Sequence, residues 1–227
     1  MIIFPSEQEA AKVAEDLTSF GIRALFFPSR DYSPRAAVRS AEYEHIRIGT
    51  LSNLLDGAFD MLILTPKSAA SRTIPKEMLE KLRFKIKVGN EISIESLTEK
   101  LVSAGYSRCE MVSGAGQFAV RGSIVDIFSP AADRPVRAEF FGDELDTMGF
   151  FDPETQRRTE NTDSVHIIPV GETQPRLHPE GIEGLCADLN RMISRQLRRK
   201  NPNEELISTL RKDLEKYENG LHNPASD

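Results

Sequence analysis

The sequence predicts an α/β protein in which a parallel-sheet domain is interrupted by an α+β block of antiparallel strands. Three observations carry this. Up to about residue 83, short apolar runs alternate with helical patterns at a spacing that demands crossover connections and hence a parallel sheet. Between 84 and 170 the text turns to period-two strands punctuated by Ser113-Gly114, Gly142-Asp143 and Asp152-Pro153. From 171 onward it is helical again. The expected division is therefore 1–83, 84–170 and 171–227, and 227 residues suffice for one large domain or two smaller ones with cores of their own.

The elements follow in order. Met1-Ile2-Ile3-Phe4 is a bare apolar strand, which suggests a chain lacking the first elements of its sheet. Ser6 and Glu9 have the spacing of a capping box, and Ala10, Val13, Ala14 and Leu17 continue at helical spacing to Gly21. Ile22–Phe27 is the second strand, and Asp31–Arg39 a loop. Glu42–Leu55 is a helix with Ile46, Leu51, Leu54 and Leu55 on its apolar side, and Glu42, Glu44 and Arg47 form a solvated face with local ion pairs. Met61–Thr65 is a buried strand, followed by a short helix near Lys67–Ser71.

In the middle block, Phe84–Val88 alternates as a half-solvated strand, and Ser93 caps a helix carrying Ile94, Leu97 and Leu101 that stops at Gly105. Gly114-Ala115-Gly116 precedes a strand and is expected to form a hairpin turn. After Pro169, Leu185, Leu189, Met192, Ile193 and Leu197 mark one helix. Asn201-Pro202-Asn203 breaks it, and Leu206, Leu210 and Leu214 mark a second.

Composition narrows the function classes. Hydrophobic content of 39% and charged content of 28% suit an ordinary globular protein. A net charge of −6 counts against a dedicated nucleic-acid binder. Cys109 and Cys186 are too far apart for a metal pair or a disulfide framework, and neither a membrane span nor a signal peptide is legible; a reducing cytoplasm is the expected compartment. No G-x-x-x-x-G-K-[ST] loop occurs, no G-x-G-x-x-G follows a strand, and Ser113-Gly114 opens no helix as a nucleophile elbow would. His45, His166, His178 and His222 fit no metal spacing. No catalytic residue, metal or cofactor is therefore expected. Arg195, Arg198, Arg199 and Lys200 could touch a phosphate backbone, but such a run is more often the basic last turn of a helix.

What remains is a surface. In Val136-Arg137-Ala138-Glu139-Phe140-Phe141, period two sends Val136, Ala138 and Phe140 inward and Arg137, Glu139 and Phe141 outward. An arginine and an aromatic displayed on rigid strands are residue types that dominate protein–protein hot spots. The alternative for Arg121 is a local pair with Asp126 or Asp133, and for Phe141 a place in the core.

At these residues the text F-A-V-R-G-S-I-V-D-I-F-S-P, R-A-E-F-F-G-D-E-L-D and F-D-P-E-T-Q-R resembles the UvrB-homology module shared by UvrB and the transcription–repair coupling factors. The closest wording spans about Arg83–Val170. A Walker A loop and a Tyr-rich damage-probing hairpin, both features of UvrB, are missing from Phe27–Pro34 and Glu42–His45, which resemble the coupling-factor copy. The resemblance implies a degenerate helicase-like (RecA-like) parallel-sheet domain, truncated, with an inserted UvrA-binding domain. It implies UvrA contacts at Arg121, Arg137 and Phe141, each arginine meeting a carboxylate across the interface and the Phe filling an apolar pocket. It further implies that RNA polymerase and DNA are engaged by parts of a longer, ATP-driven parent, whose UvrA-binding surface is masked until the motor acts. A UvrB-type ATPase and a DNA-binding module are the rival readings.

Overall fold

The computed structural model describes residues 1–30, 40–173 and 178–219. The expected loop Asp31–Arg39 and His222 lie outside them. The chain divides into two compact units, one through Glu172 and one from Thr173 onward.

The first unit opens with β1 (Ile2–Ile3), α1 (Glu7–Ser19), β2 (Ala24–Phe27), α2 (Ser40–Leu55), β3 (Met61–Leu64), α3 (Pro66–Ala69) and α4 (Lys76–Leu82). The three strands form a parallel sheet in the order β1-β3-β2. Ser6 caps α1 by accepting the Glu9 N–H, and Ala10 and Ala14 pack on Ile63 and Phe26. Strands that run parallel in one sheet need crossover connections, which α1 (β1 to β2) and α2 (β2 to β3) supply. Helix α4 has no counterpart in the sequence-based expectation.

Helix α2 departs from its expected polarity. Ile46 is exposed, while Arg47, Ile48, Thr50 and Ser52 are buried. The polar groups turn inward because each finds a partner. Thr50 donates to the Phe26 carbonyl at 2.8 Å, and the Ser52 carbonyl and hydroxyl accept from Arg83. Arg47 is 0% exposed, not part of a solvated face. Its Nε meets Glu172 at 2.5 Å, Nη1 donates to the Pro28 carbonyl, and its guanidinium covers the Phe27 ring at 4.1 Å. The other Glu172 oxygen accepts the Ile74 N–H at 3.1 Å. Arg30 and Glu44 pair beside it at 2.8 Å. Two arginines and two glutamates thus balance each other over the carboxyl end of β2.

The rest of this unit comprises β4 (Phe84–Lys87), α5 (Ile94–Ser103), β5 (Ser107–Arg108), β6 (Gln117–Arg121), β7 (Ile124–Ile127), β8 (Val136–Phe141), β9 (Glu144–Phe151), β10 (Arg158–Asn161) and β11 (Ser164–Ile167). Strands β10-β9-β8-β7-β6-β5 form a six-stranded sheet, antiparallel except for β5–β6, and β4 pairs with β11. Ser93 caps α5 through the Ser96 N–H, as its position predicts. Leu97, Leu101 and Val102 of α5 bury one sheet face with Phe118, Val125, Ile127, Val136, Ala138, Phe140, Leu145 and Met148. Because β5 and β6 run parallel, Cys109–Gly116 is not a hairpin turn. It is a connecting loop that places Val112 against Ala119 and Phe151 on the opposite sheet face. Gly116 must be glycine: its φ is +81°, and a Cβ there would stand 2.8 Å from Val170 Cγ1.

The second unit is a helical pair, α6 (Gly181–Leu197) and α7 (Glu204–Glu218), closed by Leu189, Ile193, Ile207 and Leu210. Asn203 caps α7 through the Leu206 N–H. Among the described residues no helix is long and apolar enough to cross a membrane.

Candidate functional site

Register organises the outer face of the six-stranded sheet, because directly paired residues share a face. One row runs Ala119, Asp126, Arg137, Gly149. The next is Arg121, Ile124, Glu139, Thr147. The last is Phe141 opposite Glu144, at the Gly142-Asp143 turn. Along β8 the expected alternation holds despite a bulge after Glu139: Val136, Ala138 and Phe140 are buried, and Phe141 is 82% exposed.

Asp126 is the centre of the first row. Its carboxylate is fully buried, so it needs cationic partners, and it has two. Arg137 grips it in a fork, Nε to Oδ1 at 2.7 Å and Nη2 to Oδ2 at 2.9 Å. Arg121 donates to the same Oδ2 through Nη2. Two guanidiniums on one carboxylate leave a net charge of +1. The Asp126 hydrogen bonds push the Arg137 pKa above its ordinary value, with burial opposing them.

The two arginines are held differently. Arg137 is 16% exposed; it lies over the Phe151 ring at 4.6 Å and donates to the Gln156 backbone carbonyl at 3.2 Å and to its side-chain oxygen at 3.3 Å. Gln156 adopts a left-handed φ of 60°. Its own N–H bond to the Asp152 carbonyl and its amide bonds to the Val112 and Pro153 carbonyls hold it there. Asp152 in turn organises the turn by accepting from Glu154 and Thr155, which lowers its pKa. Arg121 is 43% exposed, at the end of β6.

In the row beyond, Glu139 is neutralised from β10. Arg158 reaches across β9 to Glu139 at 3.1 Å, flat over Gly149, where a Cβ would collide with its guanidinium and with the Glu160 carbonyl. Among the described residues, what this face leaves without an ion partner of its own is the second guanidinium on Asp126, at Arg121, and the Glu144 carboxylate opposite the bare ring of Phe141.

The three residues singled out by sequence thus share one face, and two of them meet at one carboxylate. From sequence Asp126 reads as a local partner of Arg121 and as an acid inside a buried strand that lacks the second acid of a magnesium-holding pair. A lone acid inside the apolar strand Ile124-Val125-Asp126-Ile127 was the available signal. Elsewhere, His45 is half-buried and its pKa is lowered by burial, His166 is exposed on β11, and His178 pairs with Asp188 at 3.4 Å. Among the described residues no His/Cys/Asp/Glu group could hold a metal ion.

Residues 84–172 match the family model of the UvrB interaction domain. The chain is similar to the transcription-repair-coupling factor of Myxococcus xanthus, 34% identical over 186 residues, covering 75% of this chain and 16% of that protein. The protein of the same name from Bacillus subtilis is 32% identical over 194 residues, 81% of this chain and 16% of its own length. A Staphylococcus aureus relative is 32% identical over 170 residues, 74% of this chain and 14% of its own. The chain thus spans about one sixth of the length of these relatives. Residues 84–172 belong to the UvrB interaction domain family, and the chain carries the UvrB-homology module of the transcription-repair-coupling factors.

Proposed function

We propose that this UvrB-homology module is a non-catalytic recruitment device that binds UvrA through the outer face of its six-stranded sheet. In this reading residues 84–170 are the docking domain. The flanking segments 1–83 and 171–227 are a degenerate, RecA-like scaffold that hydrolyses nothing. The longer protein would engage stalled RNA polymerase and DNA through other parts and use this one to bring in nucleotide excision repair.

The observation that carries the reading is the asymmetry of the outer face: two arginines on one buried carboxylate beside an exposed phenylalanine, all on a rigid meander. Positions held by strand register and buried hydrogen bonds lose little conformational entropy on binding. Arg121 is the direct electrostatic contact and takes a partner carboxylate as a charge-assisted fork. Phe141 fills an apolar pocket. Arg137 contributes chiefly by fixing Asp126 and thereby Arg121.

Calorimetric titration of the chain into purified UvrA tests this. Phe141→Ala and Arg121→Ala should each weaken binding by more than about 1–2 kcal/mol with an unchanged circular dichroism spectrum. Wild-type affinity in both variants, or no binding by the folded wild type, overturns the proposal.

A further inference from the structure

The second unit carries a separate charged surface. Helix α6 packs on α7 through Leu189 and Ile193. At about 3.6 residues per turn, Arg191, Arg195 and Arg198, spaced i, i+4, i+7, fall on the stripe opposite Ile193. They line an open groove of about 450 Å³ together with Asn190 and Ser194.

Local compensation is thin. Arg191 pairs with Asp188, but among the described residues Arg195, Arg198, Arg199 and Lys200 make no ion pair. From Leu189 to Asn203 the chain has five cations (Arg191, Arg195, Arg198, Arg199 and Lys200) and no carboxylate, although its total charge is −6. The helix macrodipole favours a cation in the last turn, yet its effect fades within that turn and does not reach Arg191. Like charges at i, i+4 repel on a free helix. A stripe of this kind is relieved by an external anion that repeats along the helix.

We propose that this stripe binds the phosphate backbone of duplex DNA without reading its sequence. Guanidinium forks match phosphate oxygens in pairs, and three of them spaced over about 10 Å of helix suit consecutive backbone contacts better than one isolated anion. A single strand would call for exposed aromatic rings to stack its bases. The aromatic ring of this unit's described residues, Tyr217, packs instead against the seam between the helices. The stripe belongs to the second unit, whereas the sheet face proposed for UvrA belongs to the first.

The test is fluorescence anisotropy of a labelled random-sequence duplex titrated with the whole chain across a salt series. The expected result is saturable binding whose log–log salt slope is about −2 to −3, from neutralising roughly three phosphates. Arg195→Gln/Arg198→Gln, with helix content checked by circular dichroism, should make the slope shallower by about 2 and cost at least tenfold in affinity at low salt. Arg121→Ala should bind duplex as the wild type does. No saturable binding at roughly 50 mM salt, an unaltered double variant, or equal loss in Arg121→Ala overturns the inference.

Discussion

Two arginine–carboxylate arrangements in the first unit have the same chemistry and opposite bookkeeping. Around Arg47, two arginines face two glutamates, and Arg47 and Glu172 are sealed from solvent beneath Phe27, Pro28 and Ile74. Around Asp126, two arginines face one carboxylate, and one of them reaches solvent. The first network is complete in itself. The second is complete only at its buried end. The two differ in their count of charges and in where the surplus points, inward and balanced around Glu172, outward at Arg121. The presence of a salt bridge alone does not separate them.

The largest expected effect breaks the first network. Arg47→Ala would leave the buried Glu172 with Arg30, at 3.5 Å, as its remaining cation and should cost about 3 kcal/mol in denaturant unfolding. Arg47→Met with Glu172→Leu removes both charges together and should recover most of that loss, since replacing a whole buried pair by apolar groups is often neutral. A double variant as unstable as Arg47→Ala would assign the loss to packing rather than to charge balance.

Next is the second network. Asp126→Ala leaves Arg121 and Arg137 without their shared acceptor and should cost about 1–3 kcal/mol of stability, less than Arg47→Ala because Arg121 can turn to water. Phe141→Ala, on the same face, should stay within about 0.5 kcal/mol of wild type in unfolding, because its ring is solvated before any partner arrives. If Phe141→Ala destabilised the fold as much as Asp126→Ala, the ring would be a packing element and the docking surface would shrink to Arg121.

The smallest effect concerns pH. Burial lowers the His45 pKa, so the folded state holds fewer protons than the unfolded chain over the range between the depressed value and about 6.5. Stability should be complete above about 6.5 and decline as pH falls below it. His45→Gln should flatten that segment of the stability–pH curve, measured by urea midpoints at several pH values. An unchanged slope would show that burial of His45 has no measurable linkage.

Legibility followed the range of the interactions. Ser6, Ser93 and the alternation of β8 were readable because a cap spans three residues and a strand's sides alternate at every step. The apolar residues of helix α2 do not reveal its buried side, because Arg47, Thr50 and Ser52 are buried there with Ile48 while Ile46 is exposed. The parallel pairing of β5 with β6 is not legible in the sequence, because a two-residue strand carries almost no pattern.

By itself the sequence determined the parallel and antiparallel halves, the face each residue of β8 presents, and the absence of a phosphate loop, since all three depend on neighbours along the chain. Only the tertiary structure decided that Arg121 and Arg137 share Asp126, because that depends on the register of three strands. Only it brought Arg47 to Glu172, 125 residues away. A buried charge is tolerated where the fold delivers its counter-charge, and no local pattern records which distant residue that will be.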